Sequence, residues 1–232
     1  GGRPATGGSG CPTAATPSNG SASVLEFHKN ATRDGHYVDA KFTREAAAKI
    51  HKDAAFTAMI SGPTYAQPLY FEAGSGGKDI VIVATETNEV SAFDAMTGAM
   101  VWRTTVAPPG PQGGGPGGCS LANIRPNLGV TGTPVIDAAS KTLFVAAMTT
   151  GGKHQVHALS LEDGKAKAGW PLDVSTLKAG SIAFNSPAQH QRGALTIVNG
   201  IVYVPYGGHY GDCGDYRGWV VGVPVNDPKA PL

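Results

Sequence analysis

Apolar residues in this chain fall into short runs, several alternating with polar ones, and Gly, Pro, Asn and Asp gather between the runs. Alternation with a period of two marks half-buried β-strands. Residues 90–102 (VSAFDAMTGAMVW) show it well: a strand, a turn offering Asp94, Thr97 and Gly98, and a second strand resuming at Val101 and Trp102. Upstream, YAQPLYF from Tyr65 and DIVIVAT from Asp79 read as two more strands around a Gly-rich turn at 74–77. Residues 65–106 therefore hold four strands. Ahead of them, residues 24–27 (VLEF) suggest a short strand, Thr43 is placed to cap a helix over 44–50, and residues 55–60 suggest another strand.

The pattern repeats. TGTPVID from Thr131 matches YAQPLYF, LFVAAMT matches IVIVATE, HQVHALSLEDGKAKAGW matches NEVSAFDAMTGAMVW, and PLDV follows. Pro68 and Pro134 lie 66 residues apart, as do Phe93 and Leu159. A third unit runs through RGALTIV, a turn at Asn199-Gly200, IVYVPYG and GWVVGVPVNDP, with Val223 in the place of Leu159. Four strands per repeat is the content of one propeller blade. The expected fold is all-β: a β-propeller of four-stranded antiparallel blades, about three present (65–106, 131–174 and 190–232), in an incomplete ring. Residues 1–23 read as a flexible Gly/Pro/Ser leader of the kind left when a targeting signal is removed, and 24–64 as a preamble. Aligned on Pro68, Pro134 and Gly193, the units place Gln67, Thr133 and Arg192 at matching positions.

Composition narrows the function classes. Gly 33 and Pro 17 in 232 residues supply the turns, and a 41% hydrophobic content supplies a core. With a net charge of +1 and 15% charged residues, no electrostatic footprint for nucleic acid exists. No apolar run is long enough to span a bilayer. The linkers at 108–118, 175–190 and 207–217 are the natural places for binding function.

The three cysteines, Cys11, Cys119 and Cys213, form no CxxC pair and no haem-attachment motif. Cys119 and Cys213 sit in Gly-rich loops 94 residues apart, where an exported protein would place a disulfide. Such a bridge removes roughly 4 to 5 kcal/mol of unfolded-state entropy. Cys11 is then left to pair with another chain or to carry a lipid that anchors the leader at a surface. Export, to a periplasm or beyond, is the expected location.

Ala92, Asp94, Thr97, Gly98 and Trp102 fit A-x-D-x-x-T-G-x-x-x-W, which resembles the tryptophan-docking repeat of the pyrroloquinoline quinone (PQQ)-like β-propeller family. The second unit keeps Ala158 and Gly164, replaces the Asp by Ser160 and the Thr by Asp163, and brings Trp170 two residues late. The phrases YAQPLY, GVTGTPVID, FNSPAQHQRGALTIVNGIVYV and GGHYGDCGDYRGWVVG are similar to those of secreted bacterial PQQ-like repeat proteins. The resemblance implies that the Ala and Trp pack against the neighbouring blade while Asp, Thr and Gly shape the turn. Propellers close with about four to eight blades, so the expectation is a portion of a larger protein, or a chain whose missing blades come from other protein chains.

Two constellations carry candidate chemistry. Gln67, Thr131, Thr133, Gln191 and Arg192, with Gln189 nearby, would ring a channel mouth as a polar collar able to hold a carboxylate or carbonyl-rich ligand, with Arg192 as its anchor; the alternative is that they satisfy backbone groups at strand starts. His209, Asp212, Asp215, Tyr216 and Arg217 crowd one loop and could contact a ligand, bind a cation, or form a structural loop pinned by Cys213. His154 and His157 lie on opposite faces of a strand, against a shared metal. Catalytic relatives use PQQ with calcium, an acidic base and, in many, an adjacent Cys-Cys ring. No adjacent cysteines and no identifiable catalytic Asp occur here. Two function classes follow: an exported binding or assembly scaffold, or part of a quinoprotein-type oxidoreductase whose catalytic blades lie outside this chain.

Overall fold

The computed structural model describes residues 22–111, 124–209, 214 and 217–232. Three antiparallel sheets follow one another along the chain. Blade 1 has strands β1 (Leu69–Phe71), β2 (Ile80–Ala84), β3 (Glu89–Asp94) and β4 (Met100–Thr105), paired in sequence order. Blade 2 repeats this with β5 (Val135–Asp137), β6 (Thr142–Thr149), β7 (Lys153–Ser160) and β8 (Leu172–Asp173). A small hairpin, β9 (Lys178–Ala179) and β10 (Ile182–Ala183), leads to blade 3. There the first strand is split into β11 (Gln189–His190) and β12 (Thr196–Val198), both pairing with β13 (Ile201–Gly208), whose other edge pairs with β14 (Trp219–Pro224).

Pairing registers fix how the blades correspond. Leu69 lies opposite Ile82 and Ile82 opposite Ala92 in blade 1. Val135, Phe144 and Ala158 make the same row in blade 2, and Thr196, Tyr203 and Gly222 in blade 3. Pro68 and Pro134 therefore correspond to Leu195, two residues beyond the Gly193 expected from sequence. The split of the first strand absorbs the difference, and it moves Arg192 into register with Tyr65 and Thr131.

Strand alternation distributes the core. The central strand β6 is buried along its whole length. Leu143, Val145 and Ala147 join the cluster shared with blade 1, while Phe144 and Ala146 join the cluster shared with blade 3. Blade 3 is different: Val202, Val204 and Tyr206 are buried, but the alternate residues Ile201, Tyr203 and Pro205 are only half-buried.

Blades 1 and 2 are joined as the tryptophan motif implies. Trp102 lies opposite Ala92, and its Nε1 donates to Leu161 O of blade 2 at 2.9 Å. Thr104 Oγ1 donates to Gly164 O at 2.8 Å. Gly164 has φ +69°, and a Cβ there would stand 2.5 Å from Trp102 Cε3, so the ring rests on a turn that only glycine permits. The turns of the two blades are of equal length, Phe93 pairing with Met100 and Leu159 bridging Ala166. The two-residue delay of Trp170 arises after the turn, between Ala166 and β8, where Lys167 N donates to Ala158 O at 2.8 Å before the Val156–Leu172 pair.

The residues before blade 1 depart from expectation in three ways. The helix capped by Thr43 is only Arg44–Ala47, because none of its residues is buried and so short a helix gains nothing from packing. Residues 55–60 form no strand; Thr57 instead lays its backbone against Gly98, where a Cβ would come within 2.7 Å of it. Gly98 is blade 1's counterpart of Gly164, so this segment covers the turn on which a preceding blade would dock. Residues 24–27 make a single bridge, Val24 with Tyr70, and then cross the first strands of all three blades. Leu25 O accepts from Ile136 N at 2.8 Å, and Glu26 Oε2 from Thr196 Oγ1 at 2.7 Å. Arg33 Nη2 donates to Ala194 O and Leu195 O at 3.3 and 3.2 Å. This strap ties the inner edges of the blades together. No helix among the described residues is long and apolar enough to cross a membrane.

Candidate functional site

In every blade the start of the first strand lies beside the connection between the second and third, so these segments share one end of the molecule. At the boundary of blades 1 and 2, Glu86 and Asn88 are fully buried in the turn after β2. Glu86 Oε2 accepts from Gly129 N at 2.6 Å, and Asn88 Nδ2 donates to Met148 O at 2.8 Å. Burial raises the Glu86 carboxyl above its ordinary pKa, a shift opposed by the Gly129 N–H, the Thr131 hydroxyl and the charge of Arg192.

At the boundary of blades 2 and 3, His154 occupies the place that Asn88 has in the preceding blade. Its Nε2 bonds Gln189 O at 2.9 Å, and its ring meets Phe184 and Tyr206 edge-on. His190 and His209 stack beside it with centroids 4.9 Å apart. Burial dominates these imidazoles: His154 is held near pKa 4 and His190 near 3, and His209 is lowered in the same direction. All three are neutral at physiological pH. His157, on the other face of β7, is buried and held near 4 by the same cause.

The collar residues separate into two groups. Thr131, Thr133 and Arg192 line one cavity of about 320 Å³, together with Phe27, Arg33 and Tyr65. Gln67 and Gln191 are engaged by backbone instead. Gln67 Oε1 accepts from His28 N at 3.2 Å and Gln67 N donates to Thr133 Oγ1 at 2.9 Å. Gln191 is buried toward blade 2, its Nε2 donating to Gly193 O at 2.5 Å. A second cavity, about 520 Å³, shares Arg192 and Gly193 and continues past His190, Pro205 and Gly207 to His209.

Of the loop constellation, His209 is the buried partner of His190. Arg217 exchanges bonds with the Gln189 side chain, its N donating to Oε1 at 3.0 Å and its O accepting from Nε2. Asp212, Asp215 and Tyr216 lie outside the described residues, as do Cys11, Cys119 and Cys213.

Calcium requires about six to eight oxygen ligands, with carboxylates prominent among them. Glu86 is buried at the blade boundary and already accepts from Gly129, and no group of three or more His, Cys, Asp or Glu among the described residues is arranged to hold a metal. The described residues do not fit a calcium-bearing quinone site.

Arg33, Glu86 and the Asn88–His154 pair were not legible as site residues. Arg33 sits in a polar stretch outside every repeat, and Glu86 looks like an ordinary turn residue.

No family model matches the chain, and no curated protein matches it. Similar solved structures include a europium-containing methanol dehydrogenase (15% identity, TM-score 0.40, 65% of this chain and 29% of that one). A quinohemoprotein alcohol dehydrogenase from Pseudomonas putida gives 15% identity and a TM-score of 0.41, over 64% of this chain and 24% of that one. BamB from Moraxella catarrhalis gives 20% identity and a TM-score of 0.28, over 66% of this chain and 48% of that one. The chain thus spans less than half the length of each. Its own sheets define the architecture: an all-β chain of four-stranded antiparallel blades in an incomplete propeller.

Proposed function

We propose that the chain acts as an assembly scaffold whose third blade receives a further β-blade. One comparison carries the reading. Phe144 and Ala146 of blade 2 are 0% and 2% exposed beneath blade 3, whereas their counterparts Tyr203 and Pro205 are half-buried and the neighbouring Val220 is 65% exposed. The same row of the repeat is a packed interface in one blade and an open face in the next. Blade 1 lacks the corresponding vacancy, since Thr57 lies on Gly98. The partner that suits the open face is another β-sheet with small and apolar residues, supplied by a separate chain or by a longer form of this polypeptide.

The complex isolated from the native host should lose the partner when Tyr203→Lys and Val220→Lys are combined, read as a drop in sedimentation coefficient. The melting temperature of the chain alone should stay nearly constant. An unchanged sedimentation profile would remove the proposal. For the oxidoreductase alternative, addition of PQQ and calcium to the chain should produce quinone absorbance changes and dye-linked alcohol oxidation. An exported location would follow from a Cys119–Cys213 bridge, whose presence non-reducing peptide mapping tests.

A further inference from the structure

We infer that the cavity between Arg33 and Arg192 is a binding site for a small organic carboxylate, gripped by the two guanidinium groups where the strap crosses blades 2 and 3. The two arginines come from distant parts of the chain and line one cavity of about 320 Å³. Among the described residues neither forms an ion pair with a carboxylate. Two cations lining one cavity repel each other, and an anion between them reverses that energy.

The donors are preorganised. Arg33 is fixed by its Nη2 bonds to Ala194 O and Leu195 O, which leaves its remaining N–H groups free to serve a ligand. Thr133 Oγ1 accepts from Gln67 N, so its own hydroxyl proton is available to an oxyanion. Glu86 is a carboxylate whose field reaches Arg192, but the two form no ion pair, and Glu86 Oε2 accepts from Gly129 N at the blade 1 boundary.

The walls decide between an organic and an inorganic anion. Phe27 and Tyr65 add aromatic surface to the charged cavity, and Arg192 and Gly193 open it into the larger one of about 520 Å³. There Gly207 forms a bare floor, with no atom within 4 Å of where its Cβ would stand. A carboxylate head between the arginines, with the rest of a small organic acid along Gly207, fits both spaces; a free phosphate fills only the first.

Calorimetric titration of the purified chain with sodium succinate, and separately with inorganic phosphate at matched ionic strength, tests the site. Succinate is expected to bind saturably, and Arg192→Gln to weaken it at least tenfold with an unchanged melting temperature, because Arg192 is exposed. Arg33→Gln should weaken it similarly; should that variant unfold by loosening the strap, Arg192→Gln alone decides. Absence of saturable succinate binding, equal binding by Arg192→Gln, or tighter binding of phosphate would each overturn the assignment. None of these outcomes depends on whether a fourth blade docks on blade 3.

Discussion

Asn88 and His154 stand at the same position of consecutive blades, each four residues before the alanine of its row (Ala92, Ala158), and each bonds a backbone carbonyl of the blade that follows. Asn88 Nδ2 reaches Met148 O at 2.8 Å, and His154 Nε2 reaches Gln189 O at 2.9 Å. The repeat thus uses one position as a polar latch between blades. Both side chains are buried, so each latch bond contributes about 1 kcal/mol, although Met148 O keeps a second donor in Gly110 N. The two latches differ in that only the imidazole titrates.

That difference gives a pH dependence. In the fold His154 is held near pKa 4 against an ordinary 6.5, so the unfolded chain binds the proton first. Stability from this group is complete above about pH 6.5 and is lost as pH falls toward 4. The shift corresponds to about 3 kcal/mol over that window. His157 and His190 act in the same direction. Glu86 acts in the opposite one, since its raised pKa favours the protonated fold as acid is added. Replacing the latch by its blade 1 counterpart, His154→Asn, should flatten the profile: between pH 7 and pH 4, urea denaturation should show the wild type losing about 3 kcal/mol more than the variant. Parallel profiles would show that His154 is not the dominant acid-labile group.

The tryptophan dock has a steric test. Gly164→Ala would place a methyl group 2.5 Å from Trp102 Cε3 on a backbone with φ +69°. A loss of about 2 kcal/mol or more is expected in denaturant melts, combining overpacking with left-handed strain. Trp102→Phe keeps much of the ring contact but removes the bond to Leu161 O, and should cost about 1 kcal/mol. If Gly164→Ala were neutral, Trp102 would not be seated on that turn.

How much of this could be read from residues alone follows from what each feature depends on. The blades were legible because strand alternation and turn chemistry are local: the hairpin through Asp94, Thr97 and Gly98 needs nothing distant to form. Gly98 takes the expected turn with φ +72°, and Asp94 Oδ1 accepts from Met96 N and Thr97 N at 3.0 Å. The register of blade 3 was not legible, because the split between His190 and Thr196 leaves no trace in hydrophobic pattern. The strap leaves no local signal in the sequence, since Leu25, Glu26 and Arg33 make their contacts with residues more than a hundred positions away. The collar was half-legible: Thr131, Thr133 and Arg192 share a cavity, but the Arg33 facing them comes from outside the repeats.

The strap itself can be tested by coupling. Glu26→Ala and Thr196→Ala each remove one partner of a 2.7 Å bond between segments 170 residues apart. A double-mutant cycle by urea denaturation should return a coupling of roughly 1 to 2 kcal/mol, as for other hydrogen bonds to a charged group. Additive losses would mean that the strap does not hold blade 3.

The most direct measurement concerns the open face of blade 3. A photo-crosslinking amino acid placed at position 220 in the native host, with a second placed at the still more exposed Met96 on the turn of blade 1 as a control, reports what covers each surface. Crosslinks from position 220 should map by mass spectrometry to β-strand peptides of a further blade, and should disappear when Tyr203→Lys is added. Crosslinks of equal yield and identity from positions 96 and 220, or none from 220, would contradict docking at that face.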